Sequence, residues 1–494
     1  MGSARGGAIV SKGGKTYPLG HGPPLEVVEK VPTPEEVFDL KEVTFWKKVA
    51  KVYGPAVIAL GMSIGSGEYL LGPSLFMKYG MGLLWLITLS AILQTSYNYM
   101  WAKWTITTGE IPIVGMLRAG IWAGILGILL IWLGFGWPGW AATSATAVAT
   151  AQLGRVATAA DAALVKTWAY VLLIVALIII SLGEKVSRTL EIWNWFDLIV
   201  ILGSFVVFDV LLVPADVWAQ AAVGLVSFGY MPEGIDPSVL AGVVGYTGFA
   251  TGLNYVLANY YRDKGYGVGS LVGYIPAVIG GKKVPLSPVG KIPDTTPENI
   301  SVMKRWYKLM LEEQVGIFWV GAIIGMILPG LLAWGLAPGQ EMTAWGVAAY
   351  EAQILSKVWG AFGWGFGLLV GALTLFKTQV GLLDVITRNT TDILWKVEGV
   401  RKWAKEDVRR VYYTIVIIYL IWTAIALNLT RPFWLIVISA NMANFGAIVG
   451  VPLILYLNSK LPKEYKASWP LQLLAIVFML FCGYFFWYGV ISRL

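Results

Sequence analysis

The sequence predicts an all-α integral membrane protein of about 11 transmembrane helices, built as two inverted five-helix halves whose first helices, 1 and 6, are discontinuous. Three observations lead there. The 494 residues are 57% hydrophobic and only 13% charged, with mean hydropathy +0.68, whereas soluble chains carry about 25% charge. The apolar residues fall into runs near the ~20 residues that cross a bilayer core. Two of those runs, opening corresponding halves of the chain, are interrupted in the middle by small residues.

Residues 1–45 are polar, with Pro23, Pro24, Pro32 and Pro34 scattered through them. They lack a basic segment followed by an apolar one, so they read as a cytosolic N-terminal extension rather than a signal peptide, with the 262–313 loop as an anchor for it. The transporter domain then occupies 46–494. Its spans fall at about 54–77, 80–102, 121–148, 168–182 and 193–213 in half one, and at about 238–261, 314–336, 358–387, 411–427 and 431–457 in half two. An extra helix follows at about 468–491. The fourth and ninth runs are short. With the N-terminus inside, 30 of the 37 Lys and Arg lie on inner segments and six outside, while Lys377 falls within a span. The outer stretch 214–237 has neither. This asymmetry follows the positive-inside rule. It makes the net charge of +8 a matter of topology, with no nucleic-acid partner, and puts the C-terminus outside a cell membrane.

Span one reads Gly54-Pro55 to Gly72-Pro73 with Gly61, Gly65, Ser66, Gly67 and Glu68 in its middle. Lipid offers backbone groups no hydrogen bonds, so a break at that depth is tolerated only against protein or a watered cavity. Span six repeats the pattern with Gly242, Gly245, Gly248 and Gly252. Paired breaks in two halves point to an inverted repeat with a substrate site at the midplane, where unwound carbonyls and half-helix ends supply ligands. The competing reading is that these glycines only let helices pack closely. The expected substrate-binding residues are Gly65, Ser66, Gly67 and Glu68 in the first break and Phe249, Ala250, Thr251 and Asn254 in the second.

His21 is the only histidine and Cys482 the only cysteine. Bis-histidine haem, histidine-built metal centres and thiolate clusters are thereby excluded from the membrane, and no cofactor is expected. No nucleotide-binding loop of the Gly-x-x-x-x-Gly-Lys type occurs, which argues against an enzyme.

At these residues the chain resembles the Nramp (natural-resistance-associated macrophage protein) transporters. Gly54-Pro55 through the break, Tyr79-Gly80, Leu83-Leu84-Trp85 and Thr108-Gly109 resemble that family's first two spans, and Val437-Ile438-Ser439 leading to Pro452 resembles its tenth. The similarity covers about residues 50–490. It implies a LeuT-type (APC superfamily) fold and transport of divalent transition metals with protons. The departures fall on the metal site. The family's Asp-Pro-Gly-Asn is here Gly65-Ser66-Gly67-Glu68, and its Met-Pro-His is Phe249-Ala250-Thr251. Losing the thioether removes the soft ligand that favours transition metals and leaves oxygen donors suited to hard cations.

Ionisable groups at membrane depth face cavities, pair, or carry ions and protons. Glu68 has three open roles, as a cation (metal) ligand, a proton-coupling carboxylate or the partner of a buried base, beside the plain role of capping the resumed half-helix. In the implied fold spans one and eight are neighbours, with the second sodium site of sodium-driven relatives between them. Lys377 is then expected to take that sodium's place and to pair with Glu68 or approach it across a cavity, as a proton-coupling pair; the alternative is a side chain that snorkels to water. Asp384 is expected in an aqueous vestibule, and Asp209 and Asp216 at the interface. A ligand role for Asn441 and Asn444 in span ten stays open, and Arg188 and Glu184 are expected to be solvated. The function expected is a proton-coupled secondary transporter of a small cation. The alternatives are a carrier of a small organic solute such as an amino acid or amine, and a non-transporting scaffold subunit in the bilayer. The sequence leaves the oligomeric state open.

Overall fold

The computed structural model describes residues 15–65, 67–247, 254–342, 345–429 and 431–494. Each of the eleven apolar runs has a helical counterpart. Eight helices among the described residues are by themselves long and apolar enough to span a bilayer. Span one is bent and broken, span six is divided, and span two (Leu84–Thr108) carries Gln94, Asn98 and Lys103 among its apolar residues. The fourth span is Ala162–Ser181, 20 residues long, and the ninth is Val408–Ala426, 19 residues long. The fourth looked short because Lys166 and Thr167 lower the hydropathy of its first turns, although the helix continues through them.

Local chemistry sets the key boundaries. Span one starts at Pro55–Ser63 with proline in the first turn, where its missing N–H costs nothing. Its first free amides, Gly54 N and Ala56 N, donate to the buried Glu313 carboxylate at 2.8 and 2.9 Å. The carboxylate thus sits at the positive end of the helix. Glu313 ends the helix Pro297–Glu313, which runs through a π turn (Gln314–Trp319) into span seven, Val320–Leu336. The long helix Tyr350–Leu394 contains span eight and departs from helical geometry at Gly360 (φ 56°, ψ −134°), a conformation that glycine adopts without Cβ strain.

Span eight is central: 78% of its most apolar window is buried, against 28% for spans four and eleven. The peripheral spans present regular apolar faces outward, such as Ile121, Ile125 and Leu129 of span three, as lipid-facing helices do.

The N-terminal segment packs on one end of the bundle, called here the N-terminal face. Thr16–Tyr17 pairs antiparallel with Leu25–Val28, which pairs parallel with Lys291–Pro293. Asn299 clasps the segment at Val31 N and Glu29 O. Arg118, after span two, donates to the carbonyls of Leu19 and Pro23 and pairs with Glu110. The loop expected to anchor the extension therefore does hold it.

Candidate functional site at two broken helices

Span one loses helical geometry after Ser63: Ile64 has ψ 43°. The chain resumes helically at Gly67–Leu71 as a π turn before Gly72–Tyr79. Wide π turns recur at functional sites because they displace ligating groups from the regular ladder. Gly65 and Gly67 are both required by packing. A Cβ on Gly65 would lie 1.8 Å from Thr378 Oγ1, and one on Gly67 would lie 2.3 Å from the Tyr246 carbonyl oxygen. Thr378 of span eight donates to the freed Met62 carbonyl at 3.1 Å, which satisfies part of the opened backbone.

Span six stops at Tyr246, with Thr247 extended (φ −68°, ψ 123°), and resumes as Asn254–Lys264. Because Gly67 lies against Tyr246, the two breaks meet. A polar stripe on span two supports the second one. Ser90 and Gln94 donate to the carbonyls of Val244 and Thr247 at 3.0 and 2.9 Å. The Asn254 amide donates to Asn98 and contacts Gln94 Oε1 at 3.5 Å. Ser90, Gln94 and Asn98 recur every four residues, one face of a helix. That four-residue spacing is the sequence signal for this polar stripe. Asn444 of span ten likewise donates to Ala241 O at 2.7 Å. Asn254 thus ties the resumed half of span six to span two, Asn444 holds its first half, and Asn441 donates to the Ser238 carbonyl.

Of the expected substrate-binding residues, the structure brings together Gly65, Gly67 and Glu68, with Asn254 on the far side of the second break. Ser66, Phe249, Ala250 and Thr251 lie outside the described residues. Glu68 is fully buried and accepts from Ser63 Oγ at 2.5 Å across the break. Lys377 is also fully buried, so it does not snorkel to water. The carboxylates whose charge reaches its ammonium are Asp197 first and Glu68 second. Among the described residues Lys377 has neither a direct ion pair nor a hydrogen-bond partner at Nζ. Of the two expected arrangements, the direct Lys377–Glu68 ion pair is not formed, and the ammonium is within electrostatic reach of both Asp197 and Glu68. The sequence signal for Asp197 is an acid within an apolar span, which it shares with Asp209 on the same helix, and such acids flag intramembrane function. Asn194 lies one turn earlier on the same helix, against Gly61.

Two further expectations are corrected. Asp384 is fully buried rather than in a vestibule: Arg388 binds it through Nε and Nη2 at 2.9 and 3.1 Å, and Tyr260 and Tyr412 donate to it. Asp209 is not an interfacial residue. It is fully buried near Glu351 and Tyr350, because span five turns its acidic face inward. Arg188 and Glu184 are exposed, as expected, and Arg188 also pairs with Glu191.

Two five-helix halves, each opened by a broken helix and with the breaks in contact, define the LeuT-type transporter fold. The chain is similar to the manganese transporter of Eremococcus coleocola (TM-score 0.62, 15% identity, 92% of this chain and 88% of that one). It is also similar to MhsT in complex with L-phenylalanine (0.52, 15%, 90% and 99%) and to Mhp1, a nucleobase-cation-symport-1 family transporter (0.52, 13%, 89% and 89%). The sequence matches no protein-family model, and no curated protein matches it.

Proposed function

We propose that the chain is a secondary transporter that moves a small cation by alternating access, with proton coupling, and that its N-terminal face is cytosolic. The observation that carries this reading is the meeting of the two breaks at Gly67 and Tyr246, with Glu68 at the head of the resumed half-helix. Freed carbonyls and one buried carboxylate at the positive end of the resumed half-helix suit a cation. Lys377 supplies the switch: when Glu68 takes a proton or a cation, the ammonium is drawn toward Asp197, and the balance of helix one against span eight changes.

The one histidine, His21, lies in the N-terminal segment and the one cysteine, Cys482, in span eleven, so neither stands at the breaks. A hard or monovalent cation therefore fits the donors better than a thiophilic one. This also favours the second reading, an amine-bearing organic solute with Glu68 on the amine. The likeness to a phenylalanine-bound transporter is compatible with it.

Uptake into proteoliposomes decides between them. Mn²⁺, Mg²⁺, Ca²⁺ and a panel of amino acids are offered with and without an inward proton gradient, to wild type and Glu68→Gln. Gradient-stimulated cation uptake that the substitution removes is the expected result. Amino-acid uptake without cation uptake selects the second reading. For the switch, Lys377→Met and Asp197→Asn each stop coupling, and the double variant is no worse than either; additive losses sink it.

A further inference from the structure

A cavity lies away from the breaks, at the end of the bundle opposite the N-terminal segment. It has a volume of about 350 Å³ and sits between the ends of spans three, four, nine and ten. Val165 and Leu435 are among the apolar residues of its floor, and Lys166, Asn428, Arg431 and Trp345 are its polar members. None of these belongs to a broken helix. The size and the apolar lining with a few convergent polar groups are those of a small-molecule site.

Charge is the distinguishing feature. Only six Lys and Arg lie at this end of the molecule, and two of them line this one cavity. Two of the others, Lys78 and Arg155, have carboxylate partners, Glu341 and Asp161. Among the described residues Lys166 and Arg431 have no ion pair, and no carboxylate lines the cavity. Lys166 donates only to Asn428 Oδ1, at 2.8 Å. The Trp345 indole N–H is buried and has no acceptor among the described residues. Two cations and an idle N–H donor around an apolar floor are complementary to an anionic headgroup, and Arg matches phosphate oxygens bidentately. The surface beside the cavity continues as an apolar seam. Tyr170, Ile174 and Ile178 of span four stand exposed at four-residue intervals, and Ile418, Ile421 and Ile425 of span nine are exposed as well. Tyr170 reaches the Ala424 carbonyl across the two spans.

We infer that this cavity binds the phosphate headgroup of an anionic phospholipid from the adjoining leaflet, with one acyl chain lying along the seam between spans four and nine. The site touches helices of both halves, so its occupant ties them together at that end. This inference does not depend on which substrate the transporter carries.

Native mass spectrometry of the full chain, released from nanodiscs of mixed dioleoyl phosphatidylglycerol and phosphatidylcholine, tests it. Wild type is expected to retain phosphatidylglycerol in preference, and Lys166→Gln/Arg431→Gln to weaken that preference about tenfold or more. Lys166→Arg/Arg431→Lys keeps the charges and is expected to keep the preference, which separates lost binding from lost folding. Lys357→Gln, a basic residue at the same end outside the cavity, is expected to change nothing. Equal retention of both lipids by wild type overturns the inference, as does an equal loss with Lys357→Gln. Displacement of phosphatidylglycerol by millimolar inorganic phosphate would make this a free-anion site and overturn the lipid assignment.

Discussion

Two groups of buried charge in this molecule are treated in opposite ways. Near the N-terminal face, Arg388 is bound by Asp384 and Asp263, and Arg262 by Asp263 and Asp392, with Tyr260 and Tyr412 donating to Asp384. Every charge there has a direct partner. About midway along the membrane part, Lys377 has none among the described residues, and Asp197 Oδ2 has no hydrogen-bond donor. Burying charge is costly unless it is paired. A closed network is therefore what helix-to-helix attachment needs: it fastens the second half of span six to span eight. An open cluster is what a site needs if protons or ions are to change its charge.

The sharpest way to break that contrast is to unpair the network. Arg388→Met leaves Asp384 and Asp263 buried without their cation, and the expected loss is about 3–5 kcal/mol of stability, read as a lowered denaturation midpoint in detergent. A loss no larger than that of a surface change would mean the network does not hold the fold.

In the open cluster the effect should appear in a different measurement. Glu68→Gln keeps the shape and the Ser63 contact, so its stability should stay within about 1 kcal/mol of wild type, while gradient-driven uptake falls to background. Equal damage to stability at both places would erase the distinction.

Supporting polar residues should fall between these extremes. Gln94→Leu strands the Thr247 carbonyl at the second break, at an expected cost of about 1–3 kcal/mol, and transport should slow without changing selectivity.

The smallest effect is expected at the N-terminal segment. Burial opposes the charge of Glu110, but Lys396 and Arg118 outweigh it and hold its carboxyl below the ordinary carboxylate range. A lowered folded value means that the stabilisation is complete above the unfolded glutamate pKa of about 4.3 and disappears as pH falls through the lower folded value. Hydrogen exchange over residues 15–28 should therefore be slow near neutrality and accelerate only in acid. Glu110→Gln should show the faster exchange already at pH 7.

Features that depend on neighbours along the chain were legible in the sequence. Hydropathy runs placed the spans, because each must satisfy its own backbone in lipid, and the glycines located both breaks, because only there can backbone approach backbone. It also identified Glu68 and Lys377 as unusual, since a charge in an apolar run needs no tertiary information to be conspicuous. The tertiary structure alone decided which charges meet. Lys377 and Arg388 lie on the same helix, eleven residues apart in the sequence, yet one has no direct partner among the described residues and the other is neutralised by Asp384 and Asp263. That difference is set by the rotation of spans five and six against span eight. Side-chain packing fixes such rotation, and no single apolar run encodes it.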